Sequence, residues 1–348
     1  MVSVIVLTSH RSASLKRVAN DVATVLRESG VNVRDILGYP SADPAVYRDV
    51  DGVLVVMTFD PAWVTPFAFV CREMLVKGKK CVFYTTIEGR ARRVHGDTWI
   101  YRDLSFVANS RYTASKLRES GAVVTKVVYH GIDIDAVAAF EWRARYVRRE
   151  LGLKSDDFVV GYIAGGYMRK GHDVFAEVIR LVQERDPSIK FVVLTDSKGV
   201  EKYSEVGDVI LLDQFGKLSE DEYYGLLHSF DLYAQPSLAE GFGIPLLEAL
   251  AAGKPVVHAD YEPLSEVTTK ETSFRVRVRS VVYKSEIGAI DYELHYYDPK
   301  EFAEMIIYAK DYVLKNRDEV RARCIERARE FDMRKTYREF VSMISHGG

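Results

Sequence analysis

Hydrophobic and polar positions along the chain form two series of short apolar runs separated by segments of helical period. In the first half, "VSVIVLT", "GVLVVM", "KCVFYTT", "SFVANS" and "VVTKVVYHG" are short β-branched runs. After the first run, Leu15, Val18, Ala19, Val22, Val25 and Leu26 follow the i, i+3, i+4, i+7 spacing of one buried helical stripe. The charged segment "EWRARYVRRELGLKSDD" interrupts the pattern, and a second series follows: "FVVGYIAG", "KFVVLTD", "DVILLDQ", "FDLYAQPS" and "KPVVHAD". From Asp298 onward the pattern is purely helical.

Apolar runs alternating with amphipathic helices predict an α/β fold whose parallel sheets are covered on both faces. At 348 residues the chain exceeds a single core, which stops growing near roughly 250–300 residues. The restart after the charged segment divides it into two Rossmann-like, doubly wound domains, 1–153 and 154–330. Open α/β sheets bind ligands beyond the carboxyl ends of their strands, so two facing domains would place the main site in the cleft between them.

Composition narrows the function. Lys and Arg number 48 against 50 Asp and Glu, a formal net charge of −2, so no global basic field exists for nucleic acid. Cys71, Cys81 and Cys324 are odd in number, far apart and free of any CxxC pattern. They read as reduced, buried thiols of a cytoplasmic protein, with neither a zinc site nor a disulfide framework. The opening "MVSVIVLTS" reads as a first strand and not a signal peptide. The long apolar stretch "GVLVVMTFDPAWVTPFAFVC" is broken by Asp60, Pro61 and Pro66, which excludes a membrane span but leaves peripheral contact with a membrane open.

Two segments carry chemistry. In "SLAEGFGIPLLEALAAGKPVV", a buried strand delivers "LAEGFG" to the expected cleft. A helix follows with Pro245 in its first turn and Gly253 just past its end. Free N–H groups at Gly243 and Ile244 make an anion site, and the glycines let backbone approach a ligand closely. Glu240 in the loop and Glu248 in the helix can border one bound molecule, and carboxylates accept well from sugar hydroxyls. Taken alone, the same residues describe a turn with a solvated Glu248. The second segment, "GYIAGGYMRKGHDVFAEVI", runs from a strand through Gly165 and Gly166 to Arg169 and Lys170 at the head of a helix. Adjacent Arg and Lys there supply a forked donor and a point charge for a diphosphate. Neither GxxxxGK[ST] nor GxGxxG is present.

In this combination and order the chain resembles family 4 glycosyltransferases, retaining enzymes of GT-B fold that use nucleotide sugars. "EGFGIPLLE" matches the E-x7-E element, "GYIAGGYMRKGHDVF" the phosphate-binding segment, and "FVANSRYTASKLRESG", "VVYHGID" and "FGKLSEDEYYGLLHSFDLY" its surroundings, from about Val107 to Val267. The resemblance implies transfer of a hexose from a UDP- or GDP-linked sugar to a glycan, lipid-linked or small-molecule acceptor, with no obligatory metal or cofactor. Glu240 would contact the donor sugar's hydroxyls and Glu248 the ribose. Arg169 and Lys170 would neutralise the diphosphate. Gly165, Gly166 and the amides near Phe242, Gly243 and Ile244 would line the donor, and Asp196 and Phe215 the base. It further implies a front-face reaction in which Glu240 is no nucleophile, and a closing helix in 331–348 that returns to the N-terminal domain. "DID", Asp133 to Asp135, reads as a helix entry and not a metal motif. A GT-B nucleotide-sugar epimerase or hydrolase, and a non-catalytic sugar-nucleotide or glycan-binding subunit, are the competing functions.

The acceptor side departs from the family. After the first strand stands "TSHRSASLKRV" without a glycine, so Ser12 and Ser14 act as small or capping residues there. "YTTIEGR" offers Glu88 where many members carry a "HD" pair. His10 and His130 sit at strand ends facing the cleft, while His95 and His172 are isolated. His10, Ser12 and Glu88 are the acceptor-side candidates. The segment "SFRVRVRSVVYKSEIGAIDYELHYYD" is longer and more strand-like than the usual connection, and its tyrosines read as packing.

Overall fold

The computed structural model describes residues 1–10, 12–92, 101–286 and 288–345. The first series of apolar runs becomes β1 (Ser3–Thr8), β2 (Asn32–Leu37), β3 (Gly52–Thr58), β4 (Lys80–Thr86), β6 (Ser105–Ala108) and β7 (Val123–Val127), with a short β5 (Gly89–Ala91) outside that sheet. These six strands are parallel, in the order β2-β1-β3-β4-β6-β7. Burial on both faces explains why β3 is apolar at almost every position. The stripe Leu15, Val18, Ala19, Val22, Val25 and Leu26 is buried on the helix Ala13–Glu28. On one side of the sheet Ile5, Val53, Val55, Phe83 and Phe106 pack against Phe67, Cys71 and Met74 of the helix Pro61–Val76.

The second series becomes β8 (Phe158–Ile163), β9 (Ile189–Thr195), β10 (Val209–Asp213), β11 (Leu232–Gln235), β12 (Val256–Ala259) and β13 (Ser273–Val276). Their order, β10-β9-β8-β11-β12-β13, reverses direction between β8 and β11, the doubly wound arrangement of a dinucleotide-binding fold. The long connection after β13 is itself strand: β14 (Val278–Ser285) and β15 (Ile290–Tyr297) form a three-stranded sheet with β5, in which Ile290 pairs Ala91 antiparallel.

The chain divides into two units, one of Met1–Asp133, Tyr283–Glu293 and Phe331–Gly348, the other of Ile134–Val282 and Leu294–Glu330. The division at 133/134 corrects the expected boundary near 153. The charged segment is no linker: in the second unit Arg148 donates to Ser229 O at 2.9 Å and to Asp231 at 3.2 Å. Its charges serve tertiary bonds, which composition alone could not distinguish from solvation. The final helices Met333–Thr336 and Arg338–Ser345 belong to the first unit. There Phe340 stands 4.9 Å from the Tyr84 ring and Met333 N donates to Ile132 O.

A second correction concerns the cysteines. Cys71 and Cys81 are joined by a disulfide with Cα atoms 5.4 Å apart, because the helix Pro61–Val76 turns back directly into β4; only Cys324 is a free thiol. Reduced thiols therefore no longer argue for a compartment. Among the described residues no helix is long and apolar enough to cross a membrane.

Candidate active site

The reversal point of the second sheet gathers both chemical segments. β8 ends at Ile163 and leads through Gly165 and Gly166 to the turn Met168–Lys170; its neighbour β11 ends at Gln235 and leads into Pro236–Glu240. The two loops are bonded directly. Arg169 O accepts from Leu238 N at 2.8 Å and from Ala239 N at 3.3 Å. Gly171, at φ +71°, passes so close that a Cβ would lie 2.3 Å from Pro236 O. Only glycine meets both demands there.

The loop carrying Glu240 is braced from its other side. Tyr297 donates to Pro236 O at 2.7 Å, Tyr261 to Ser237 O at 2.8 Å, and His295 N to Leu238 O at 2.8 Å. The Tyr261 and His295 rings stack at 4.1 Å. Three successive carbonyls are thus held, and a loop at the mouth of a sheet becomes a fixed platform. His295 and Tyr297 come from the "LHYY" end of the long connection. In the sequence these aromatics read as packing, and nothing local signals the bracing.

Charge is concentrated on this platform. Lys170 Nζ lies 2.6 Å from Glu240 Oε1, and Gln235 Nε2 donates to the same oxygen at 2.8 Å. Glu240 is only 5% exposed. Burial pushes its carboxyl upward, but the Lys170 and Arg169 cations outweigh that and hold it below the usual range. The group is therefore an ionised acceptor with a fixed orientation. The Arg169 guanidinium also lies 5.6 Å from the Tyr167 ring. Glu248 is buried one turn into the helix Ile244–Ala251 and accepts from the Tyr223 hydroxyl. Ahead of that helix stand buried Phe242 and Gly243, the latter at its N-terminal cap.

Asp196, half-buried at the end of β9, carries local bonds of its own. Its two oxygens accept from Gly166 N at 3.0 Å and Gly199 N at 3.1 Å. Burial raises its carboxyl, and these backbone donors, with Lys198, more than offset that and hold it low. Asp196 thus ties the loop after β9 to the glycine turn. His172, isolated in sequence, completes the tie: Nε2 faces Gly165 O at 3.1 Å and Nδ1 faces the Tyr203 hydroxyl at 2.8 Å. Burial lowers it to about 4, so it is neutral near pH 7. A carbonyl only accepts, so the proton sits on Nε2. Phe215 is half-buried, its ring 3.2 Å from where a side chain at Gly165 would begin.

The acceptor-side candidates lie in the first unit, each within its own local bonding. His10 is exposed, with its N and Nδ1 both on Gly38 O at 2.9 and 3.1 Å. Ser12 caps the helix Ala13–Glu28, accepting from Leu15 N. Glu88 follows β4, and its carbonyl accepts from Glu293 N at 3.1 Å. His130 is buried 2.7 Å from the Tyr84 hydroxyl, and burial lowers it to about 3. His95 lies outside the described residues. Asp133 pairs with Arg334 at 3.2 Å. Among the described residues no cluster of three or more His, Cys, Asp or Glu could hold a metal ion.

Residues 145–281, which contain this whole reversal point, match the model of the family described as glycosyl transferases group 1. The chain is a glycosyltransferase. It is 27% identical over 97% of its length to an uncharacterized glycosyltransferase of Sulfolobus islandicus rod-shaped virus 1, covering 98% of that protein. Over 38% of its length it is 32% identical to the D-inositol 3-phosphate glycosyltransferase of Mycobacterium bovis, covering 28% of it. In fold, the glycosyltransferase of Rickettsia africae superposes with a TM-score of 0.75 at 16% identity, covering all of this chain and 99% of the other. HepE of Anabaena, solved with UDP and glucose, gives 0.70 at 14% identity with both chains fully covered. The glycosyltransferase therefore has the GT-B fold, with two Rossmann-like parallel-sheet domains.

Proposed function

We propose that this glycosyltransferase is a retaining, family 4 enzyme that moves a hexose from a nucleotide diphosphate sugar to an acceptor, with Glu240 and Glu248 as its E-x7-E pair. The carrying observation is the buried Lys170–Glu240 pair, with Arg169 alongside, at the reversal point of the second sheet. A dinucleotide-binding sheet receives its ligand there. As the bond from the anomeric carbon to the diphosphate oxygen breaks, negative charge grows on the leaving group, and Arg169 and Lys170 neutralise it. These two cations make a metal ion unnecessary. Glu240 accepts from the hexose hydroxyls, and Glu248, oriented by Tyr223, from the ribose. Amides at Phe242, Gly243 and Ile244 take sugar and phosphate oxygens, the Gly165–Gly166 turn lies along the diphosphate, and Phe215 flanks the base.

With its oxygen Oε1 already shared by Lys170 and Gln235, Glu240 is a poor nucleophile. The reaction runs on one face of the sugar, and the departing phosphate oxygen takes the acceptor's proton. His10, Ser12 and Glu88 face the acceptor, a glycan, lipid-linked sugar or small molecule met in the cytoplasm or at the cytoplasmic face of a membrane. HepE was solved with UDP-glucose, which makes that the first donor to try before GDP-linked sugars. The test is chromatographic release of nucleoside diphosphate from a panel of UDP- and GDP-sugars. Wild-type protein is expected to release it, and Glu240→Ala to lose turnover by about a hundredfold or more. Undiminished transfer by Glu240→Ala would remove the assigned role.

A further inference from the structure

We propose that Gln235 is a positioning residue that sets the orientation of the Glu240 carboxylate, a role that rests on the reading of Glu240 as the group meeting the donor sugar. Gln235 closes β11 after Leu232, Tyr233 and Ala234, all buried, and is itself 2% exposed. An apolar side chain would suit such a position. The glutamine instead donates both amide hydrogens, to Glu240 Oε1 at 2.8 Å and to Ser237 Oγ at 2.9 Å. A carboxylate only accepts, so the NH2 group must face Glu240 and the amide oxygen must turn away.

That amide oxygen, Oε1, is buried without a hydrogen-bond partner. The amide is thus turned by what its NH2 group holds, and that orientation sets its task. Here the task lies on the donor side. Lys170 supplies charge, but its three donors rotate freely and fix no plane. The planar amide adds direction, and donors from the Met168–Lys170 turn and from the end of β11 then define where Oε1 stands. Ser237, fully buried, also hydrogen-bonds the carboxylate, and its own carbonyl is held by Tyr261. Gln235, Ser237 and Glu240 thus form a closed set on a braced loop, with the amide as its rigid member.

The competing role is a purely structural tie between strand and loop. Gln235→Leu separates the two, assayed beside wild type and Glu240→Ala by nucleoside diphosphate release across pH. If the amide positions Glu240, kcat per folded molecule falls by about tenfold to a hundredfold while donor KM moves little. The acid limb of the rate profile also moves to higher pH, because a hydrogen bond to the ionised carboxylate has been lost. Wild-type kcat with an unmoved acid limb, whatever the melting temperature, overturns the proposal. Should wild-type protein release nucleoside diphosphate from no donor, the sugar-transfer reading fails, but carbon-13 NMR of labelled glutamate still decides. Titration of Glu240 at higher pH in Gln235→Leu supports positioning, and an unchanged midpoint ends it. If Gln235→Leu does not fold, Gln235→Glu sets a second carboxylate beside the first. A raised Glu240 midpoint in that variant supports the role, and an unaltered one overturns it.

Discussion

The two sheets share a doubly wound architecture, yet their reversal points are furnished in opposite ways. In the second sheet, between β8 and β11, an ionised carboxylate is buried with cations around it and is held low. In the first sheet the reversal lies between β1 and β3, and the buried carboxylate beyond β3 is Asp60, which burial pushes upward. Asp60 has backbone partners: it caps the helix Pro61–Val76 through Ala62 N and accepts from Ala289 N at 3.0 Å. The β14–β15 turn comes so near that a Cβ at Gly288, φ +100°, would lie 2.0 Å from Asp60 Oδ2. Arg92 donates to Gly288 O and its own N–H to Ala289 O. One reversal point holds a charge-paired carboxylate, and the other is partly occupied by its own chain. A common topology therefore fixes where a site can form but not what chemistry it holds.

The largest expected difference lies in removing the charge partner. Lys170→Met leaves Glu240 buried without its bonded cation, and breaking a buried pair costs about 3–5 kcal/mol. Urea unfolding at neutral pH should show most of that loss, together with loss of turnover. A loss below about 1 kcal/mol would mean that Glu240 is not a buried charge at all. Next in size is Asp60→Ala, which removes a helix cap and the anchor of the β14–β15 turn. About 1–3 kcal/mol is expected. Hydrogen exchange should quicken at Ala289 and its neighbours in β15 while the loop around Ser237 stays protected. Unchanged exchange at Ala289 would mean that the turn is held by β5 pairing alone.

Much of the second unit was legible because its candidate site residues stand next in sequence to the strands that place them. Arg169 and Lys170 follow β8 by a few residues, and Glu240 follows β11 by five, so strand periodicity and glycine punctuation sufficed to bring them together. What brackets them was not legible. His172 reads as an isolated histidine and Tyr297 as core, because Tyr203 and Pro236 lie 31 and 61 residues away. Gln235, whose partners are only two and five residues on, reads as one more residue of a buried strand, because no period announces the turn that brings Ser237 and Glu240 back to it. The first unit was harder for the same reason. Asp60 meets Ala289 across 229 positions, and no local period announces such a contact. The charged run before 153 misled in the other direction. Arg148 looks like a solvated charge until the carbonyl of Ser229 and the carboxylate of Asp231 are seen around it.

The finest test of the contrast is the sign of each carboxyl's pH dependence. Glu240 is held below its unfolded value, so its contribution to stability is present above about pH 4 and is lost as pH falls through the folded value. Glu240→Gln should therefore cost most at neutral pH, with the difference from wild type shrinking in acid. Asp60 is raised by burial, so its contribution is complete below about pH 4 and is lost as pH rises through its folded value. The stability advantage of wild type over Asp60→Asn should accordingly shrink toward neutral pH. Each unit of displaced pKa corresponds to about 1.4 kcal/mol, within reach of unfolding free energies measured from about pH 3 to pH 7. If both differences change with pH in the same direction, the two reversal points do not treat a buried carboxylate differently, and the charge-partnered setting of Glu240 loses its physical basis.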